Sequence, residues 1–179
     1  MFIVLHLNSR LQPMHRFELE DVLTEIFENN NNIGNIAGGG TEMFPNGEIK
    51  SCDIEIEFSD KPDDFEWLLT LLNQIGIPKG SILETGEKDF PVGSLEGLGL
   101  YLNCRDLPKD VYENNDINEL IKQLEIALGE AGRMFSWREL DEFTSLYFYG
   151  KSFNEMNDKI EPIVSVNPLC QKCCVKKIA

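Results

Sequence analysis

Leu5-His6-Leu7-Asn8-Ser9-Arg10-Leu11-Gln12-Pro13 is written a second time, with substitutions, as Leu100-Tyr101-Leu102-Asn103-Cys104-Arg105-Asp106-Leu107-Pro108, 95 residues further on. Each copy is a short apolar alternation that runs into a polar exit turn and a proline. Two copies of one strand and turn at that spacing imply a single structural unit written twice. Duplicated units tend to pack about a pseudo-twofold axis, which builds broad sheets and clefts rather than one deep pocket.

Working outward from the first copy, Phe2 to Asn8 alternates Ile3, Leu5 and Leu7 against Phe2, Val4 and His6, the period-two pattern of a strand. Phe17 to Glu28 then carries Leu19, Val22, Leu23, Ile26 and Phe27 on one helical stripe, with the acidic residues mostly away from it. After Asn29 to Asn32, residues 33–40 are extended and glycine-rich. Pro45-Asn46-Gly47 marks a hairpin, because Asn-Gly accepts positive φ at both central turn positions. The returning strand, Glu48 to Phe58, sets Ile54, Ile56 and Phe58 against Asp53, Glu55 and Glu57. A second helix places Phe65, Leu68, Leu69, Leu72 and Ile75 on its stripe before Gly76, with Asp60 to Asp64 near its positive end. Ser81 to Glu84 is a last short strand, so the order is β-α-β-β-α-β.

Around the second copy the same order returns. Leu98, Leu100 and Leu102 line a strand, and Asp116 with Glu119 opens a helix through Ile117, Leu120, Ile121, Leu124 and Leu128. Strands follow at about residues 133–140 and 143–149. Ser152 with Glu155 opens a helix that Pro162 shortens or kinks, and residues 173–178 close the unit. A β-α-β-β-α-β unit is a ferredoxin-like split sandwich with both helices on one sheet face. The expected fold is therefore α+β, a tandem duplicated ferredoxin-like sandwich with pseudo-twofold symmetry, about eight strands and four helices. Residues 1–84 form the first unit, 85–97 a linker and 98–179 the second, packed as one compact body. The faces without helices are expected to display His6, Asp53, Glu55 and Glu57 in the first unit, and Tyr101, Ser145, Tyr147 and Tyr149 in the second.

Charge limits the partners. The chain of 179 residues carries 31 acidic and 16 basic residues, a formal charge of −15, and 17 of the acidic but only 6 of the basic residues lie in residues 1–95. Such a surface repels nucleic acid and anionic membranes, and it reads either as a solubility coat or as a landing surface for a basic partner, the second favoured by its concentration in the first half. The opening apolar run is only four residues and no membrane-length run follows, so a cytoplasmic product is expected. Five cysteines without a secretory signal read as free thiols.

No residue set spells out a reaction. Asp53, Glu55 and Glu57 stand about 7 Å apart along one strand face, close to the spacing of phosphates along a nucleic-acid strand and too extended for a divalent ion. Cys170-x-x-Cys173-Cys174 is half of a zinc-ribbon spacing without its second pair. Gly38-Gly39-Gly40-Thr41 lacks the Lys-Ser/Thr and helix of a phosphate loop and reads as a bulged strand. Neither His6 nor His15 has the context of an activated base. The chain is accordingly read as a non-enzyme without cofactor or metal.

Gly38-Gly39-Gly40-Thr41, Asn46-Gly47-Glu48 and Cys52-Asp53-Ile54-Glu55-Ile56 resemble small bacterial proteins of polymorphic-toxin neighbourhoods. Leu146-Tyr147-Phe148-Tyr149-Gly150, Glu161-Pro162-Ile163 and Asn167-Pro168-Leu169 are similar to a second such group. Together the segments resemble a tandem immunity protein of the contact-dependent growth inhibition type. The resemblance implies stoichiometric occlusion of a cognate toxin, a basic nuclease, in the cytosol. The expected partner-binding residues are Asp53, Glu55 and Glu57, the hairpin tip Glu42, Phe44 and Glu48, and the linker residues Glu84, Glu87, Asp89 and Phe90. Phe44 and Phe90 are the expected hydrophobic anchors. The alternative reading is a small-ligand-binding or regulatory domain with its site between the repeats.

Overall fold

In the computed structural model, which describes residues 1–179, the chain divides into two compact units, Met1–Leu95 and Glu96–Ile178. In the first, β1 (Phe2–Leu7) leads to α1 (Pro13–Asn29), then to β2 (Gly34–Met43) and β3 (Ile49–Phe58), α2 (Pro62–Ile75), β4 (Ser81–Glu84) and β5 (Asp89–Val92). The sheet is antiparallel in the order β2-β3-β1-β4-β5. Its inward side chains, Ile3, Leu5, Leu7, Ile54, Ile56 and Leu83, are buried together with Leu23 and Phe27 of α1 and Leu68 and Leu72 of α2. Each such aliphatic or aromatic side chain contributes about 1.5–3 kcal/mol on leaving water.

The second unit comprises β6 (Glu96–Asn103), α3 (Lys109–Asn114), α4 (Ile117–Leu128), β7 (Gly132–Glu139), β8 (Phe143–Gly150), α5 (Phe153–Val164) and β9 (Cys174–Lys177). Its strand order is β7-β8-β6-β9. In both units the order is therefore second, third, first, fourth, so the fold is a duplicated ferredoxin-like βαββαβ. Leu98, Leu100, Leu102, Leu146 and Phe148 of this sheet pack on Leu120, Leu124, Leu128, Met156 and Ile160 of the helices.

Nine strands and five helices stand where eight and four were expected, for local reasons. Residues 85–97, expected as a linker, contain β5, whose Phe90 and Val92 point inward beside Leu83 and Ser81. Pro91 is tolerated there because β5 is an edge strand and owes no second ladder bond. The remaining Gly93–Leu95 stretch is tied to the first unit by amides of Ser94 and Leu95 on the Ile77 carbonyl, at 2.8 and 3.1 Å. In the second unit the helix expected from Asp116 onward is α4, and a short additional helix, α3, precedes it, separated at Asn115-Asp116. Asp116 caps α4 by accepting from the Asn118 amide at 2.8 Å, and the Asn115 side chain donates to the Val111 carbonyl at 2.7 Å.

The α1 stripe is narrower than its spacing predicts. Leu23 and Phe27 are buried, but Val22 is 48% exposed and Arg16 takes an inner position instead. The Pro45-Asn46-Gly47 turn also differs in type. Only Gly47 has positive φ, at 83°, and its amide donates to the Phe44 carbonyl at 2.9 Å, a type I turn followed by a left-handed glycine.

Candidate functional site

Register places the candidate site on the face of the first sheet opposite the helices. Residues directly opposite on paired strands share a face, with Cβ atoms about 4.5–5.5 Å apart. Val4 lies between Glu55 and Glu84, His6 between Asp53 and Ile82, and Phe2 opposite Glu57, while Asp89 of β5 faces Glu84. Asp53, Glu55, Glu57, Glu84 and Asp89 thus come from three strands onto one surface. Phe2 and Ile82 stand among them, 53% and 36% exposed.

His6 ties this surface together. Its Nδ1 is 2.8 Å from Asp53 Oδ1 and its Nε2 is 2.8 Å from Glu84 Oε2, so one imidazole spans β1, β3 and β4. Partial burial pulls the imidazole pKa down, but the hydrogen bonds to Glu84 and Asp53 and the charges of both carboxylates outweigh it, and the net shift is upward from 6.5. The alternation pattern alone puts His6, Asp53 and Glu55 on one face. The approach of Glu84 from β4 is the part that sequence reasoning misses, since a four-residue strand carries no register signal.

The other expected contact residues divide. At the hairpin, Glu42 is exposed and accepts from Lys50 Nζ at 2.8 Å and Ser51 Oγ at 3.0 Å, which together hold its carboxyl below the usual range. Phe44 is 37% exposed, with the Arg10 guanidinium 5.7 Å from its ring centre. Glu48 is turned inward instead of being presented: it is 9% exposed and ion-paired to Arg10. Glu87 is exposed in the turn between β4 and β5. Phe90 is not a free anchor. It stacks edge-on against Phe65 of α2, centroids 4.9 Å apart, because its place opposite Leu83 puts it on the helix side of the sheet.

In the second unit, the residues expected to be on display are hidden. Tyr101, Ser145, Tyr147 and Tyr149 are 8%, 0%, 0% and 1% exposed. Tyr101 packs edge-on against Phe143 at 5.6 Å and Tyr149 lies 4.7 Å from Phe135, so these rings form apolar packing and not a recognition surface. This unit has a cleft of about 370 Å³, lined by Leu102, Cys104, Tyr112, Ile117, Thr144 and Leu169 among others. The Tyr112 hydroxyl within it is already engaged, accepting from the Leu107 amide and donating to the Asn103 carbonyl.

All five cysteines are free thiols. Burial pushes Cys52 up to about 11 and Cys170 up to about 12, and raises Cys173, so these sulfurs stay protonated at neutral pH. No group of three or more His, Cys, Asp or Glu side chains is arranged to hold a metal ion. No helix is long and apolar enough to cross a membrane.

No protein-family model and no curated protein matches the chain. Among solved structures it is similar to the first two RRM domains of the yeast poly(U)-binding protein Pub1, with 13% identity over 100% of this chain and 99% of that one, at a TM-score of 0.26. It is also similar to a putative monooxygenase from Fusobacterium nucleatum, with 10% identity over 98% of this chain and 89% of that one, at a TM-score of 0.33. Scores this low carry no weight for function, and the class of fold rests on the strand order of the two sheets.

Proposed function

We propose that this chain is an immunity-type protein that binds a basic toxin domain, a nuclease, in the cytosol and blocks it by occlusion rather than by turnover. The observation that carries the reading is the gathering of Asp53, Glu55, Glu57, Glu84 and Asp89 on one exposed sheet face around the apolar side chains of Phe2 and Ile82. Clustered carboxylates steer a cationic partner into encounter, and exposed aromatic and aliphatic groups among them give the complex a dry centre. Glu42 and Phe44 at the hairpin tip extend the surface. Glu48 and Phe90, engaged within the unit, support it without touching the partner.

The test is co-expression with a basic nuclease toxin domain, sought first in the neighbouring reading frame, together with calorimetry of the purified pair. The wild-type chain restores growth and binds in a one-to-one complex. Changing Asp53, Glu55 and Glu57 together to Asn, Gln and Gln weakens association at least about tenfold, on the scale of losing several near-contact charges in water, while the circular dichroism stays unchanged. Equal affinity of the folded triple variant would retire this face as the binding site.

A further inference from the structure

We infer that His6 is a removable counterion built into the acidic face, and that its proton sets how strongly this face attracts a cationic partner. The inference rests on the binding role proposed above for the face, but its geometry stands independently. An ionised carboxylate only accepts hydrogen bonds, and a neutral imidazole has one N–H to donate. Asp53 Oδ1 and Glu84 Oε2 sit 2.8 Å from the two different ring nitrogens. Both contacts are hydrogen bonds to ionised carboxylates only when the ring carries both protons.

With both protons, the ring cross-links β3 to β4 through β1 and cancels one of the negative charges of the face. Without one of them, a carboxylate loses its donor and faces a ring lone pair, so it turns outward and the face gains a full negative charge. The strands around His6 supply the groups that set this equilibrium. From β3 these are Asp53 and, next along the same face, Glu55; from β4 it is Glu84, with Asp89 of β5 facing Glu84. Gly40 of β2, opposite Asp53, adds no charge. On the helix side, Arg16 and Glu20 of α1 bind each other at 2.8 Å. The charges beside His6 on its side of the sheet, Asp53, Glu55, Glu84 and Asp89, are negative and favour the protonated ring, while the hairpin cation Lys50 is paired with Glu42 at 2.8 Å. The side chains of His6, Asp53 and Glu84 are 41%, 46% and 47% exposed, so the proton exchanges with solvent without any opening of the fold.

The consequence is a pH-graded attraction. Below the His6 transition the face is partly neutralised, and above it the carboxylates are free to meet lysine or arginine side chains from the partner. One unit charge about 4 Å away in water changes an affinity about fivefold. The experiment has two arms. Proton–nitrogen NMR of the full chain follows the His6 ring through pH 5 to 9. Its midpoint is expected above 6.5 with both ring nitrogens protonated below it, and the midpoint falls in the double variant Asp53→Asn, Glu84→Gln. A midpoint at or below 6.5 in the wild-type chain would overturn the inference. In the second arm, a hexa-arginine peptide is titrated at pH 5.5 and 8.5 into the wild-type chain and the His6→Gln variant at constant ionic strength. The wild type is expected to bind about fivefold more tightly at the higher pH and the variant to lose most of that difference. An equal pH effect in both proteins would sink the idea. If the NMR arm succeeds but the peptide binds at neither pH, the counterion stands and the acidic face as a cation-binding surface falls.

Discussion

Arg16 Nε donates to Glu20 Oε1 at 2.8 Å, one helical turn along α1, with the backbone of Gly39 against the pair. Arg16 is 6% exposed, so this is a charge pair held inside the first unit and screened little by solvent. It explains two sequence features at once. An arginine occupies the inward stripe of a helix, and Gly39 of the strand beside it carries no side chain, because one at that position has no room.

The glycines of that triplet should therefore differ in tolerance. A Cβ at Gly39 would come within 2.5 Å of the Asp53 carbonyl and 2.8 Å of Glu20 Oε1, whereas one at Gly40 meets nothing within 4 Å. Gly39→Ala is expected to cost about 1–3 kcal/mol, the range for forcing extra volume into a filled site. Gly40→Ala is expected to be neutral or stabilising by about 0.5 kcal/mol through a less flexible unfolded chain. Urea unfolding of the two variants makes the comparison, and equal losses would contradict it.

The two loop phenylalanines should separate in the same way. Phe90→Ala removes an edge-on contact with Phe65 and is expected to lower stability by about 2 kcal/mol. Phe44→Ala removes a 37% exposed ring that lies beneath the Arg10 guanidinium, and is expected to lie within about 0.5 kcal/mol of wild type while reducing partner affinity. Thermal unfolding and calorimetry on the same preparations distinguish stability from binding.

Stability should depend on pH through His6, with a defined sign. The folded chain holds the imidazole pKa above 6.5, so folding is favoured by its proton, fully below the unfolded value and progressively less as pH rises through the folded one. The difference in melting temperature between wild type and His6→Gln is therefore expected to be larger at pH 6 than at pH 9. A difference that grows with pH would reverse the assignment.

Thiol reactivity should follow burial. Cys174 is exposed, whereas Cys52 is 1% exposed with its thiol raised to about 11, and Cys170 is raised to about 12. A maleimide reagent at pH 7.5 is expected to modify Cys174 first and to reach Cys52 and Cys170 only on unfolding. Mass mapping of the labelled peptides checks the order, and early labelling of Cys52 would mean that β3 opens locally.

Read by themselves, the residues determine the duplicated βαββαβ order and the inward sets Ile3, Leu5, Leu7 and Leu98, Leu100, Leu102, because side-chain alternation and helical spacing are local properties of the backbone. They also put His6, Asp53, Glu55 and Glu57 on one face. Tertiary structure alone decides what lies opposite what. Strand register brings Glu84 to His6 and turns Phe90 inward beside Leu83, while side-chain packing lets Arg10 take Glu48 out of reach and hides Tyr147 and Tyr149. Hydrogen-bond pairing between distant strands sets the first two relations and packing of residues far apart in sequence the others, and a short strand such as β4 or β5 has too few alternating side chains to announce its partner in advance.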